Sequence, residues 1–224
     1  MQTFNSILAI FYRDYKVTYR NIYDVFTILI FYILGIMIFI FSIGTNKETF
    51  NLTSIGIIWT LLLLSSTLSI NKFYMDDFND GNIIIYRMSG LSYELIVLIK
   101  IIAMWFFYQL PFVLIIPLSA LLLNIEEEKV VLTLITFLIS SPILTSLASI
   151  SGSMNLLNKR SFSFGSIIIM IFSIPLIIFS VGSINAPPNL INSQLSILIG
   201  ILLLFLALTP WISAACIKIS IGNK

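Results

Sequence analysis

A chain of 224 residues that is 58% hydrophobic and only 10% charged, with a mean hydropathy of +1.05, is not a soluble globular domain, because such domains run near a quarter charged. It reads as a single all-α integral membrane domain. A net charge of +2 carries no nucleic-acid signal, and one cysteine, Cys216, rules out an internal disulfide framework. The chain has no histidine, which removes the commonest metal and heme ligand together with the commonest general base.

The first 21 residues predict a helix lying in the headgroup plane. At 100° per residue Phe4, Ile7, Leu8, Phe11 and Tyr15 share one face, with Arg13, Lys16 and Arg20 roughly opposite. Their apolar residues form no continuous core and no small-residue cleavage site follows, so the segment is not read as a secretory signal.

A spanning helix needs about 20 predominantly apolar residues, and the stretches between charged residues give six: about 25–44, 52–71, 101–125, 130–158, 161–184 and 195–217. The last two are separated by argument, since no charge occurs between Arg160 and Lys218. A single helix over 161–217 would be roughly 85 Å long, far more than a bilayer is thick. The break is expected where Asn185, Pro187, Pro188, Asn189, Asn192 and Gln194 cluster. Orientation follows from lysine and arginine. Arg13, Lys16, Arg20, Lys72, Arg87, Lys100, Lys159, Arg160, Lys218 and Lys224 fall on one side, and only Lys47 and Lys129 on the other. Both termini are therefore expected on the cytoplasmic side.

The long polar connection, residues 72–94, joins the second and third spans. It holds Asp76, Asp77 and Asp80, three of the five aspartates, and predicts a short acidic helix ended by Gly81 in the left-handed conformation. Ser92 is a good N-cap for the helix that follows, with Glu94 in its first turn. Asp-Asp-x-x-Asp also resembles the magnesium-diphosphate motif of membrane prenyltransferases. Holding two Mg²⁺ ions takes carboxylates from two segments, and the remaining aspartates, Asp14 and Asp24, lie in no second acidic motif. A solvated acidic loop without a partner is the plainest alternative.

In the fourth span Ser141, Thr145, Ser149 and Ser153 recur every four residues beside Gly152, a ridge of small residues suited to close helix packing. Trp59, Trp105 and Trp211 read as interface belt or packing residues, and with Pro210 they are the candidates for a substrate or partner surface. Cys216 reads as a small apolar residue, and Lys100 as a residue that snorkels to the interface without an intramembrane partner. No Gly-x-x-x-x-Gly-Lys-Ser/Thr run and no Gly-x-Ser-x-Gly run occur, so any ATP dependence must come from another subunit and hydrolase chemistry falls away.

Against these residues the chain resembles the heme exporter protein B family, the membrane subunit of the cytochrome c maturation ABC transporter, within the six-span ABC-2 permeases. Gly56-Ile57-Ile58-Trp59, Leu64-Ser65-Ser66, Phe73, Asp76-Asp77 and Asp80-Gly81 match the family's second span and cytoplasmic loop. Lys100, Trp105, Leu110-Pro111 and Pro117 match the third span. Lys159-Arg160 match the fourth loop, Ile174-Pro175-Leu176 the fifth span, and Thr209-Pro210, Ala214-Ala215 and Ile217-Lys218-Ile219-Ser220 the tail. The chain departs from the pattern at Ile84, where the family often has glutamate, and at Met88-Ser89-Gly90, where it has a Leu-Pro-rich turn.

The resemblance implies a permease, not an enzyme, in the bacterial inner membrane or alternatively the mitochondrial one. It implies a separate ABC ATPase, a tryptophan-rich heme-handling membrane protein, a small helper, a heme chaperone and a second copy of this chain as partners. Heme would be the pathway's substrate and not a bound cofactor. Phe73, Asp76, Asp77, Asp80 and Gly81 would form the coupling helix that meets the ATPase. A polysaccharide or drug exporter of the same architecture and a non-transporting assembly scaffold are the alternatives.

Overall fold

The computed structural model describes residues 2–43, 47–69, 73–157 and 163–222, with side chains for 6–43, 53–69, 73–157 and 165–222. Lys72, Lys159, Arg160 and Lys224 of the charge count lie outside the described residues, as do the side chains of Phe4 and Lys47.

Among the described residues the chain is all helical, with no strand. Helix α1 (Gln2–Arg20) precedes α2 (Ile22–Ile43) and α3 (Lys47–Thr67). Two short helices, α4 (Met75–Asn79) and α5 (Asn82–Met88), occupy the polar connection. The third span runs through α6 (Tyr93–Met104), a wide π turn at Trp105–Gln109 and α7 (Phe112–Leu122). The bundle is completed by α8 (Glu127–Leu157), α9 (Ser163–Phe172), α10 (Ile174–Asn185) and α11 (Pro188–Gly222). Five stretches are long and apolar enough to cross a membrane, and Thr53–Thr67 is a shorter sixth, so the protein is an all-α membrane protein of about six spans.

Proline sets the irregularities. Pro111 has no N–H to give to Phe107, and the ladder widens there, Leu110 N donating to Trp105 O at 3.1 Å. Pro175, at the start of α10, likewise follows a break at Ser173 that divides the fifth span. Pro142 and Pro210 are carried inside α8 and α11 without a break. The expected turn between the last two spans shrinks to Ala186 and Pro187. Ala186 is extended, as the residue before a proline prefers, and Pro188 begins α11, where its fixed φ suits the first helical turn. Asn189, Asn192 and Gln194 therefore lie in the helix and not in a loop. The helix of the third span begins at Tyr93, ahead of the apolar stretch from Ile101, where the expected Ser92 cap places it, Ser92 Oγ accepting from Leu95 N at 3.3 Å.

Helix α8 is the centre of the bundle, packed against α3, α4, α6, α7, α9, α10 and α11. Its Ser141, Thr145, Ser149 and Ser153 are all buried. Hydroxyls link it outward: Ser140 Oγ and Ser180 Oγ share a hydrogen bond of 2.9 Å with α10, and Ser149 Oγ and Ser213 Oγ one of 3.2 Å with α11. Helix α2 lies on α3 and α7, held by a 3.0 Å hydrogen bond between Tyr32 Oη and Ser119 Oγ. Its outer face, including Tyr23, Leu34, Ile38 and Phe41, is exposed, as suits a lipid-facing span.

Helix α1 packs on α6, but rotated from the expected face. Ile10 and Asp14 are buried and Ile7 and Phe11 half-buried, whereas Leu8 and Tyr15 are exposed. The rotation turns Arg13 inward, away from the solvent-facing position its pattern implied. Tyr12, Tyr15 and Tyr19 stack along the outer face at 6.2–6.3 Å, an aromatic stripe of the kind found at membrane interfaces.

Gly35 of α2 lies against Leu61 of α3: a Cβ there would come within 2.5 Å of Leu61 Cδ2. Since the obstacle is a flexible side-chain tip, Gly35→Ala should change thermal stability little. Gly35→Ile should lower it by about 1–3 kcal/mol through overpacking, read as a drop in unfolding temperature of the detergent-solubilised protein.

Candidate functional site: a buried charge cluster behind the short acidic helix

The connection folds as two short helices divided by Gly81, whose φ of +77° is the left-handed value expected at the stop. Its apolar residues orient it. Phe73, Tyr74, Phe78 and Ile83 are buried, while Asp76 and Asp80 are exposed. Between the two exposed aspartates Asp77 turns inward and is only 3% exposed.

A carboxylate removed from water needs partners, and two cations supply them. Arg13 Nη2 of α1 lies 2.5 Å from Asp77 Oδ1, and Lys100 Nζ of α6 forms an ion pair with Asp77 Oδ2. Asn82 Nδ2 donates to Asp77 Oδ1 at 3.3 Å. Asp14 completes the cluster, with Oδ1 3.0 Å from Arg13 Nη1 and Oδ2 3.8 Å from Lys100 Nζ. Lys100 also donates to the Phe73 carbonyl at 3.0 Å, and Arg13 lies over the Tyr86 ring at 5.9 Å. The four charges cancel in number. Burial alone would raise the Asp77 carboxyl, but the Lys100 ammonium and the Arg13 guanidinium outweigh it and hold the carboxyl below its ordinary range.

Lys100 therefore does not snorkel to the interface. It is 2% exposed and paired, because the polar connection folds back over the head of the third span and brings a carboxylate to it. Beside it Tyr74 Oη shares a 2.7 Å hydrogen bond with Ser149 Oγ, which meets Ser213 Oγ. Burial raises the Tyr74 phenol, so it stays protonated.

The other expected site residues disperse. Trp59 and Pro210 are buried and cannot form a partner surface, since each packs into the bundle core. Trp105 is partly buried and donates its Nε1 to Ser141 Oγ at 2.9 Å. Trp211 alone of the four is exposed. Sequence reading missed Arg13, Asp14 and Lys100 as a unit. Two signals pointed to them: Asp14 follows Ile7 and Ile10 at helical spacing on the buried stripe, and Lys100 interrupts an apolar run, where an ionisable residue is a functional hypothesis by default. The fold also brings Asp14 and Asp24 to the cleft that Asp76 and Asp77 border, although the four share no linear motif. Among the described residues no three carboxylates are grouped closely enough to hold a metal ion.

Removing one member of a buried pair should cost about 3–5 kcal/mol. Lys100→Met and Asp77→Asn are each expected to lower the unfolding temperature sharply, and the double variant less than either alone. The folded pKa of Asp77 is depressed, so its contribution is complete above the ordinary carboxyl value near ~3.9 and is lost as pH falls through the lowered value. Asp77→Asn should therefore flatten the acid limb of a stability–pH profile.

Comparison with known proteins places these features in a family. Residues 5–220 match the family described as CcmB protein. The chain is 29% identical to heme exporter protein B of Pseudomonas aeruginosa over 98% of each chain. It is 27% identical to heme exporter protein B of Haemophilus influenzae over 96% of this chain and 99% of the relative. The Escherichia coli K12 protein of the same name is 29% identical over 95% and 97%. With a match that spans nearly its whole length, from the buried stripe of α1 to the end of α11, the chain belongs to the CcmB protein family.

Proposed function

We propose that the protein is the membrane subunit of an ABC transporter that serves heme delivery or export in c-type cytochrome biogenesis. The observation that carries this is the short acidic helix α4, anchored inside by Asp77 and Phe78 while Asp76 and Asp80 face outward. A one-turn helix held by buried charges to two other elements can pass a push to the bundle. The relatives' name, heme exporter protein B, supports heme as the substrate. A separate ATPase supplies hydrolysis, since this chain has no phosphate-binding loop sequence. A tryptophan-rich heme-handling membrane protein, a small helper, a heme chaperone and a second copy complete the assembly. With no histidine for axial ligation, the cycle is better suited to releasing a heme-loaded chaperone than to passing heme through these spans. The protein lies in the bacterial inner membrane with both termini cytoplasmic.

Two experiments test this reading. In a Cys216→Ser background, single cysteines at Glu127 and Asn189 should react with an impermeant thiol reagent outside intact cells, and one at Asn82 should not; the reverse pattern overturns the orientation. The wild-type chain should co-purify with an ABC ATPase encoded by the same organism. Asp80→Lys should weaken that association by about tenfold, the size of one charge-assisted hydrogen bond. Gly81→Val, which resists the positive φ without removing a charge, should leave a bound complex that hydrolyses ATP without maturing cytochrome c.

A further inference from the structure

The rotation of α1 sorts its charges. The helix carries Arg13, Asp14, Lys16 and Arg20 and no other ionic residue. Arg13 and Asp14 turn inward and are held in the ion cluster around Asp77. Lys16 and Arg20 stay on the exposed side, so the outward charge of the helix is wholly positive. The side chains beside them are aromatic. Tyr12, Tyr15 and Tyr19 are exposed, with neighbouring ring centroids 6.2–6.3 Å apart, and the Lys16 ammonium rests 4.7 Å from the centre of the Tyr12 ring. Tyr15 also meets Phe107 of the third span at 5.8 Å, and Tyr23 and Phe26 carry the exposed row on into α2, whose outer face is that of a span in lipid. A face continuous with a lipid-facing span, built of phenols and cations without a carboxylate, belongs at the boundary between hydrocarbon and headgroups. Insertion of an apolar stripe into the bilayer does not account for it, because Ile7, Ile10 and Phe11 are already packed on α6.

We propose that the outer face of α1 binds the headgroups of anionic phospholipids. Lys16 and Arg20, one helical turn apart, pair with the lipid phosphates, and the tyrosine hydroxyls donate hydrogen bonds to phosphate and glycerol oxygens at the level of their rings. The charge pattern selects anionic over zwitterionic lipid, since each lysine or arginine near such a surface strengthens attachment about fivefold. The consequence reaches the buried cluster. One helix presents Lys16 to the lipid and Arg13 to Asp77, so headgroups that hold the outer face also hold the rotation that keeps the inner one in register with α4. The inference goes beyond the transporter function proposed above and does not depend on it.

The test uses the purified full-length chain in nanodiscs of equal phosphatidylglycerol and phosphatidylcholine, with a photo-crosslinking residue at position 19. Mass spectrometry of the adducts reads which lipid stands beside α1. Phosphatidylglycerol adducts should exceed phosphatidylcholine adducts by about fivefold or more. Lys16→Gln with Arg20→Gln should bring the ratio close to one, whereas Lys218→Gln, which removes an exposed cation of α11, should leave it unchanged. An unaltered unfolding temperature in phosphatidylcholine alone establishes that the double variant is folded. Raising the salt concentration tests the same ratio without any substitution on α1, and the preference should fall as the charges are screened. Equal adducts at low salt, or a preference that survives both high salt and the double substitution, overturns the proposal. Crosslinks from position 19 to a second copy, or to the ATPase in the assembled complex, in place of lipid overturn it in favour of a protein interface.

Discussion

The buried carboxylate of Asp77 is the constraint on which this end of the bundle depends. An unpaired charge at that depth would cost several kcal/mol, so the fold must deliver cations to it from elsewhere in the chain. Arg13 arrives on α1 and Lys100 on α6, and the two residues are far apart in sequence. Three elements that share no continuous backbone are thus fixed to one point. The helix α1, which would otherwise be held to the bundle by Ile7, Ile10 and Phe11, gains a directional anchor. The same anchor sets its rotation, because Arg13 and Asp14 must both face inward and the tyrosine stripe must then face out. Replacing such a cluster with apolar groups often stabilises a protein, so its use is better explained by geometric specification than by stability.

From this point the structure continues into the membrane along α8. Tyr74 follows Phe73, whose carbonyl receives Lys100, and its hydroxyl reaches Ser149 on α8 and through it Ser213 on α11. Within a low-dielectric bundle an unpaired hydroxyl is costly, so each link favours one relative position of its two helices. Small side chains along α8 allow the close packing that makes such links short. A displacement of α4 and α5 is therefore opposed by ion pairs to α1 and α6 and by a hydrogen bond to α8, which is itself tied to α11.

Much of this was legible in the sequence and some of it was not, for physical reasons. Span number, the small-residue ridge, the left-handed Gly81 and the Ser92 cap follow from local rules of hydropathy, spacing and backbone freedom. The start of the last helix did not, because charge marks where a helix leaves the membrane and not where it stops: α11 starts at Pro188, well before the apolar core of its span. The ion cluster was hidden for a different reason. Lys100 satisfied a plausible local rule, snorkelling, and nothing within its own helix indicated that a loop from Asn82 back to Phe73 would cover it. Asp77 sits between two aspartates of identical type, and only the burial of Phe73, Phe78 and Ile83 decides which of the three points inward.

That selection explains how so short a helix can serve as a contact. Five residues form about one turn, and an isolated turn does not persist in water because nucleation costs more than its few hydrogen bonds return. The conformation of α4 is therefore borrowed from its buried side, from Phe78 in the core and Asp77 in the ion cluster. Once that side is fixed, helical geometry leaves Asp76 and Asp80 one turn apart on the opposite side, with no freedom to rearrange independently. Gly81 then ends the helix and redirects the chain into α5, whose Asn82 returns to hydrogen-bond Asp77. The outward carboxylates are preorganised by an inward one, so a partner that binds them has little ordering entropy left to overcome, and a push on the exposed face reaches the bundle through the buried ion pairs.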